Sequence, residues 1–410
     1  MNFNNLVKCD WRSGLSILLF TSIIWAQPLS GGARVPSVIL MLLGIILLAN
    51  KSFAFTDIRW RRLLLLFSLF WVPALISVIG SYEPENSAKF IVLLPLFLLY
   101  SVTLFYVLDT YLSQNTLFLI ITAICSFWLI DASIQFFFDV DLFGVERYGD
   151  RIVGPFKEHL RLGLFISVLL PIVLSTLARY GWIWQLIYLL VAVAVVMLTG
   201  VRTDLLTMII AATLYVIASK KYTVMLAMLP IIVVAGLFAG SHSEISQTKI
   251  KTFSSIPTTY TEWNQLSSYR LDLWSTAWSM LRDNPVNGVG ARCFSAAYND
   301  YSSENNIFHG QESYHAHHPI ISIAAETGSI GLLGLLGVVF LLYRWGRNHT
   351  KNTRELLLSN PWLQIVILLL FPIQSMPLLF SLWWFPFVAF VLVCYLHSIN
   401  SNVTRTENKF

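Results

Sequence analysis

The sequence predicts an all-α integral membrane protein with about twelve transmembrane helices and one large loop that itself contains helices. Of its 410 residues, 56% are hydrophobic and only 12% are charged, whereas a soluble domain carries roughly 25% charged residues. Apolar runs long enough to cross a bilayer recur along the whole chain. Its 28 Phe, 16 Tyr and 14 Trp residues suit lipid and its interfaces. We therefore expect membrane lipids around the chain and no nucleic-acid partner.

The predicted spans are distributed along the entire sequence. Pro372 and Pro377 interrupt the apolar pattern of the last two. The spans cover residues of about 13–29, 34–50, 62–80, 88–108, 115–137, 162–178, 181–199, 202–218, 222–240, 319–343, 361–378 and 380–398.

Lysine and arginine concentrate in alternate loops, which sets the orientation of the chain in the membrane. The short loops on one side hold few basic residues: Arg34, Lys89 and Arg202. The positive-inside rule then places both termini in the cytoplasm and two longer loops, residues 139–161 and 241–318, on the outer side.

Three regions follow from this topology. Residues 1–240 hold nine spans and the first long loop, residues 241–318 form the large loop, and residues 319–410 hold three spans and a cytoplasmic tail.

The large loop contains a predicted amphipathic helix within "SSYRLDLWSTAWSMLRDNPVNGVG". Arg270 lies at its N-terminal end, Ser268 is the expected N-cap, and "DNPVNGVG" ends it with proline and glycine. Its indoles are expected on the membrane surface or on the bundle. The apolar face consists of residues that recur at helical spacing: Leu271, Trp274, Trp278 and Leu281.

A histidine cluster precedes the tenth span, in "SYHAHHPIISIAAETGSIGLLGLLG". His315 and His317 lie close to a helix N-terminus because Pro319 suits the first helical turn. Such a terminus favours an anion. Small residues every third position predict close approach of another helix; they are Gly328, Gly331, Gly334 and Gly337.

Arginines gather on the same predicted face as these histidines. Arg202 begins the eighth span, and Arg147, Arg151 and Arg161 lie in the first long loop. Arginine binds phosphate through a fork of hydrogen bonds, and histidine accepts a proton from an attacking hydroxyl. The pattern suggests a lipid-linked diphosphate donor whose tail lies between the spans. Its diphosphate leaves readily, so the scheme needs a base and positive charge but no metal or other cofactor.

Each of these residues also has a structural interpretation. Arg202 could snorkel or pair with Asp204, although an arginine at membrane depth costs about 2.5–3.5 kcal/mol and is a functional candidate for that reason. Arg270 could be an ordinary surface residue. Acidic neighbours could balance Arg151 and Arg161. Glu326 could orient the site or pair with a buried cation.

The histidine cluster could instead bind a metal. His315 and His317 alternate in an irregular segment, and no cysteine or carboxylate partner is obvious nearby. The sequence therefore favours acid–base chemistry over a metal site.

The motifs, in their order and spacing, resemble those of the O-antigen ligases within the superfamily of O-antigen ligases and polymerases. The stretch "VRTDLL" is similar to the family's arginine at the start of a span. "YRLDLWSTAWSMLRDNPVNGVG" resembles its arginine, aromatic and P-x-x-G-x-G pattern, and "HAHHPIISIAAETGSIGLLG" its histidine motif. "RIVGPFKEHLRLG" resembles a short motif before the sixth span.

The resemblance implies roles for particular residues. Arg202 and Arg270 would bind the diphosphate and His317 would be the catalytic histidine. His318 stands where asparagine is common in the family, so His315 and His318 stay open as candidates. Arg151, Arg161 and Glu326 are further candidates that the motifs mark less directly.

The resemblance also implies an activity and a location. Such ligases transfer a glycan from undecaprenyl diphosphate to the outer-core sugar of lipid A–core, without metal or ATP. They act on the periplasmic side of the bacterial inner membrane and have a type C glycosyltransferase-like fold. The expected reaction inverts the anomeric carbon. Whether the chain is a monomer or a homo-oligomer stays open.

Three rival functions remain. An O-antigen polymerase would share the donor, but the R-x10-G pattern common in polymerases is missing: Leu162, Leu281 and Cys293 stand eleven residues after Arg151, Arg270 and Arg282. A protein O-glycosyltransferase of the same superfamily would differ only in its acceptor. A transporter of lipid-linked glycans predicts charged residues in mid-span and an internal repeat, neither of which is clear here.

Overall fold

A computed structural model of the chain describes residues 11–29, 31–51, 56–157, 159–220, 257–311, 315–348, 360–372, 381 and 383–407. Throughout these ranges the architecture is helical, with isolated β-bridges but no β-strand. The α-helices are α1 (Trp11–Trp25), α2 (Arg34–Ala49), α3 (Ile58–Ile76), α4 (Pro84–Leu93), α5 (Leu96–Thr110), α6 (Gln114–Phe138), α7 (Leu162–Leu177), α8 (Trp182–Leu198), α9 (Arg202–Ser219), α10 (Tyr260–Leu266), α11 (Arg270–Asp283), α12 (Phe294–Tyr301), α13 (Pro319–Asn348), α14 (Pro361–Leu370) and α15 (Phe385–Glu407).

The prediction of an all-α integral membrane protein is confirmed. Within the described ranges, four helical stretches are long and apolar enough to cross a membrane: Pro84–Thr110, Gln114–Phe138, Arg202–Ser219 and Pro319–Arg347. Every predicted span within the described ranges coincides with a helix or a helix pair. The ninth span, 222–240, and residues 373–378 of the eleventh lie outside those ranges, as does part of the large loop, 241–256.

Helix α7 runs through the centre of the bundle and is buried along nearly its whole length. It packs against α6, α9 and α14. A helix that is apolar on all sides is stable only when other helices surround it. The sequence "LGLFISVLLPIVLSTL" therefore places α7 at the core, and its N-terminus positions the neighbouring start of α9.

Helix α13 is broken at Gly328, where the backbone has φ 62° and ψ −157°. Residues 284–293, which we call the glycine loop, dock at this break. The Val289 N–H donates to the Ala325 carbonyl at 2.9 Å, and the Ser329 N–H donates to the Pro285 carbonyl at 2.9 Å. The loop thus supplies partners for backbone groups that a continuous helix would pair internally.

The predicted glycine stripe on this helix serves two purposes. A Cβ on Gly334 would lie 2.2 Å from the Leu69 carbonyl oxygen of α3, and one on Gly337 would lie 3.1 Å from the Leu69 side chain. These two glycines confirm the prediction of close helix approach. Gly328 instead permits the break, since its positive φ suits glycine and a Cβ there would meet the Val286 carbonyl at 2.3 Å.

The predicted N-cap of α11 was wrong. Ser268 is not its N-cap, because Ser268 and Tyr269 both adopt left-handed conformations with φ of 59° and 61°. The side chain of Asn264 in α10 accepts a hydrogen bond from the Asp272 N–H at 3.3 Å in its place. The buried face is rotated from the predicted apolar stripe, whose indoles were expected on the membrane surface or on the bundle. It consists of Asp272, Leu273, Thr276, Ala277 and Met280.

A polar network explains this rotation of α11. Asn306 donates to the Asp272 carbonyl at 3.2 Å and to the Thr276 hydroxyl at 3.1 Å. Buried polar groups need such partners, so the helix turns its hydrogen-bonding residues inward. Trp278 is left 66% exposed.

A buried side chain of α6, that of Gln135, holds the second half of the first long loop. Its Oε1 accepts from the N–H groups of Val153 and Gly154, both at 2.9 Å. The Ile152 N–H donates to the Leu198 carbonyl at 3.2 Å, which fixes the loop on the end of α8. The first long loop and the described part of the large loop therefore lie at one end of the bundle, here called the loop-bearing end.

Candidate active site

Three helix N-termini meet at the loop-bearing end, those of α9, α11 and α13. Arg202, the first residue of α9, donates to the Leu266 carbonyl at 3.3 Å and so joins α9 to the segment before α11. Arg270, the first residue of α11, lies near Asp204 and near the histidines that precede α13, as their mutual electrostatic interactions show. Free N–H groups and helix dipoles make such a meeting point favourable for an anion.

Arg270 lies at the centre of this arrangement. Burial lowers the pKa of its guanidinium, and the charge of Asp204 partly offsets that effect. Within the described ranges Arg270 forms no ion pair with a carboxylate. A partly buried guanidinium of this kind has hydrogen-bonding capacity left for an anionic ligand.

The histidine loop, residues 315–318, is fixed by Trp274 of α11. The indole Nε1 donates to the Ala316 carbonyl at 3.0 Å. The ring of His318 stands edge-on to the same indole, with 5.4 Å between centroids and 85° between planes. His317 has a left-handed backbone with φ 49°, which turns its side chain away from the path of a regular helix.

The three imidazoles differ in what their Nδ1 atoms do. The Nδ1 atom of His315 accepts from the His317 N–H at 3.2 Å, and that of His318 accepts from the Ile321 N–H at 3.3 Å. These bonds favour tautomers with the proton on Nε2, so both rings present a donor. The Nδ1 atom of His317 is buried and has no hydrogen-bond partner among the described residues.

Burial is the main cause of the depressed basicity of this loop. It lowers the pKa of His317 to about 3, aided by the nearby His315 and Arg270. Burial and Arg270 lower the pKa of His315 to about 4, and burial also lowers the pKa of His318. All three rings are therefore neutral at pH 7, and a neutral ring is the form that accepts a proton.

Glu326 lies behind the site rather than in it. Its side chain is fully buried and accepts hydrogen bonds from the Arg292 N–H at 3.1 Å and the Phe294 N–H at 3.4 Å. The carboxylate thereby fastens the end of the glycine loop to the helix that carries the histidines. Its charge also interacts electrostatically with Arg292, so both predicted roles, orienting the site and pairing with a cation, agree with this geometry.

The arginines of the first long loop lie in different places. Arg151 packs over Gly200, where its Nε would be 3.3 Å from an added Cβ, two residues before Arg202. Arg161 instead stacks on Trp383, with 3.8 Å from its guanidinium carbon to the ring centroid. Arg147 pairs with Asp139 at 3.0 Å. Of these three arginines, Arg151 is thus the one whose contacts place it beside the start of α9.

Sequence reasoning missed several residues that build this site. Asp204 was considered only as a partner of Arg202, yet it also interacts with Arg270. Trp274 was assigned to a lipid-facing or bundle-facing stripe, whereas it holds the histidine loop. The acid two residues after Arg202 is visible in "VRTDLL", but the contact of Trp274 with a carbonyl 42 residues away has no sequence signal.

No group of three or more His, Cys, Asp or Glu side chains in the described ranges is arranged to hold a metal ion. The site is thus defined by guanidinium groups, imidazoles and helix N-termini.

Fold and site together define a class: a multi-pass helical membrane protein with a cationic, histidine-bearing site among the loops at one end. The profile of a protein family described as "O-Antigen ligase" matches residues 187–336. That segment includes Arg202, Arg270, His317 and Glu326. Over this segment the chain is similar to that family. None of the curated proteins compared with the chain matches it.

Proposed function

We propose that this chain is a glycosyltransferase that moves O-antigen glycan from undecaprenyl diphosphate to the outer-core sugar of lipid A–core. The reaction takes place at the periplasmic face of the bacterial inner membrane, and both termini of the chain are cytoplasmic. Arg202 and Arg270 hold the diphosphate and His317 is the base.

The observation that carries this proposal is the placement of Arg270 among three neutral imidazoles, at the meeting point of three helix N-termini. A diphosphate matches this set of cationic and N–H donors. The broken bond joins that diphosphate to the sugar, so the base must lie next to the phosphate-binding groups. His317 meets this requirement.

The hydrogen bonds of the ring nitrogens support His317, rather than His315 or His318, as the base. His315 and His318 use Nδ1 to accept backbone N–H groups, whereas Nδ1 of His317 is uncommitted among the described residues. In the proposed step the acceptor hydroxyl attacks the anomeric carbon and its proton passes to His317. The bond to the diphosphate breaks at the same time, and undecaprenyl diphosphate leaves with the electron pair.

The donor itself tunes this base. An imidazole with a pKa of about 3 is neutral but weakly basic. The bound diphosphate brings negative charge beside His317, which raises the affinity of the ring for a proton. Arg202 and Arg270 then stabilise the charge that grows on the leaving diphosphate. Substrate binding would thus bring the base toward its working range.

The test is a transfer assay with purified full-length protein, undecaprenyl-diphosphate glycan and lipid A–core, with a chelator present. Glycan-capped core supports the ligase assignment and the prediction of metal independence. Longer glycan on the lipid carrier, with no capped core, would instead establish a polymerase. Transfer to a peptide acceptor alone would establish a protein O-glycosyltransferase.

A further inference from the structure

A second cationic region lies at the mouth of an apolar groove between α2, α4–α5 and the start of α15. The groove has a volume of about 570 Å³, within the range of roughly 300–1,000 Å³ typical of ligand sites. Its walls are hydrophobic side chains, among them Val38, Met41, Leu96 and Phe97. Arg34 and Arg292 stand at its polar end together with Trp383. We call this feature the arginine groove.

The groove is closed at its other end by helix packing. A Cβ on Gly44 of α2 would lie 2.2 Å from the Leu99 carbonyl oxygen of α5, so the two helices touch there. Exposed apolar side chains nearer the N-terminus of α2, such as Val38 and Leu42, line the groove. The shape fits a hydrocarbon chain that enters from the bilayer with its head at the arginines.

The charge at the mouth is only partly balanced in the described ranges, because the Glu326 carboxylate interacts electrostatically with Arg292 but has no such effect on the other two arginines. Arg161 lies on the Trp383 ring, and Arg34 is near enough to lower the pKa of Arg161 after the larger effect of burial. Neither arginine forms an ion pair with a carboxylate in the part of the chain that the structure describes. Like charges held together without a counter-ion favour an anionic ligand.

Among the described residues that line the groove, none is Arg270 or one of the three histidines. A donor must place its diphosphate and its anomeric carbon side by side at His317. An acceptor whose reacting sugar is separated from its lipid by an oligosaccharide has no such constraint. The glycine loop joins the two places, because Arg292 borders the groove while its N–H binds Glu326 on the histidine-bearing helix.

We propose that the arginine groove binds the lipid end of the acceptor, a phosphorylated glycolipid, with an acyl chain between α2 and α5 and a phosphate at Arg34 and Arg292. This inference rests on the proposed function in one respect, which is that the bound lipid is identified as the acceptor substrate. The recognition of a lipid phosphate stands independently of it. Two lipid substrates would then approach the histidines from different sides.

A kinetic test uses an Arg34→Gln/Arg292→Gln double variant. We expect the KM for lipid A–core to rise at least about tenfold, as for the loss of a charge-assisted phosphate contact, with the donor KM unchanged within about twofold. Val38→Trp, which fills the apolar part, should raise the same KM. Arg282→Gln is the matched control, since Arg282 is 70% exposed and pairs with Asp283. A rise in the donor KM alone would assign the groove to the donor tail and overturn the proposal.

A binding test removes the dependence on turnover. Native mass spectrometry of the purified protein would compare lipid A with its dephosphorylated form. Retention that requires the phosphates and is lost in the double variant supports the groove, even if the transfer assay were to show no ligase activity. Equal retention of both lipids, or retention unaffected by the double variant, would contradict it even if transfer occurs.

Discussion

At the end of the bundle away from the loops, Arg59 is surrounded by acids: its guanidinium lies 2.5 Å from Asp57 and 2.7 Å from Asp109. His397 of α15 approaches the same Asp109 at 3.3 Å. At the loop-bearing end, Arg270 forms no ion pair with a carboxylate in the described ranges and faces three imidazoles instead.

The difference separates two uses of the same side chain. Where carboxylates satisfy an arginine, its hydrogen bonds join α3, α5 and α15, and the arginine contributes to stability. Where an arginine is partly buried without such a partner, its charge is available to a ligand. Carboxylates follow the same division, because Glu326 at the loop-bearing end binds backbone N–H groups rather than a guanidinium.

The largest expected effect is the loss of transfer activity when His317, but not the exposed His309, is replaced by alanine. His317→Ala should lower kcat for glycan transfer by about 10²–10⁴-fold, the usual contribution of a general base, while the donor still binds. His309→Ala is the matched control, because His309 is exposed and its imidazole bonds only to Ser302 among the described residues. Full transfer activity in the His317→Ala protein would remove His317 from the mechanism.

A smaller effect is expected from the carboxylate that fastens the glycine loop. Glu326→Gln leaves one of the N–H groups of Arg292 and Phe294 without its acceptor, and a lost buried hydrogen bond costs about 1–3 kcal/mol. The thermal unfolding midpoint should fall, and kcat/KM should fall about tenfold because the histidine helix loses its fixed position. If the unfolding midpoint of Glu326→Gln were unchanged and glycan transfer were abolished, Glu326 would instead take part in the reaction itself.

The smallest effect concerns pH. With its pKa lowered to about 3, His317 of the free protein is neutral from pH 8 to pH 5. We expect kcat/KM at pH 5.5 to stay within about twofold of its value at pH 7.5, where a base with the ordinary pKa of about 6.5 would lose roughly tenfold. In the substrate complex the bound diphosphate raises the pKa of His317. The decline of kcat on the acid side should therefore occur at a higher pH than the decline of kcat/KM.

The same shift has a consequence for stability. The unfolded chain binds protons at these histidines below about pH 6.5, whereas the folded chain does not until the pKa values of about 4 and 3 are reached. Stability therefore declines as the pH falls through this window. A thermal unfolding midpoint that rises when the pH is lowered from 7 to 5 would contradict the burial of neutral imidazoles.

The sequence predicts the helical spans well because each must be long and apolar to lie in a bilayer. It also predicts the helix starts at Arg202, Arg270 and Pro319, since charge or proline marks them locally. It does not predict the break at Gly328, because the partners of that break come from the glycine loop more than 30 residues earlier.

The buried face of α11 was not predicted from the sequence for a related reason. Apolar spacing alone selected Trp274 and Trp278, while the packing follows Asp272 and Thr276, whose partner Asn306 lies about 30 residues downstream. Likewise, the arginine groove joins Arg34 and Arg292, which no local pattern relates. The roles of Arg202, Arg270 and His317 remain predictions that the geometry supports.

The most direct measurement compares two substitutions at opposite ends of the bundle, with transfer rate and thermal unfolding recorded for each. Arg270→Gln should lower kcat/KM by about 10²-fold, as for the loss of charge-assisted contacts to a diphosphate, and leave the unfolding midpoint near that of the native protein. Arg59→Gln should destabilise the fold by about 2 kcal/mol and leave the rate of the folded fraction unchanged. Arg282→Gln should change neither quantity.

We therefore expect Arg270→Gln to lower the transfer rate without a loss of stability, and Arg59→Gln to lower stability without a loss of rate. If Arg270→Gln instead destabilised the protein as much as Arg59→Gln while the folded fraction transferred glycan at the native rate, Arg270 would be a structural residue. The assignment of the loop-bearing end as the active site would then be wrong.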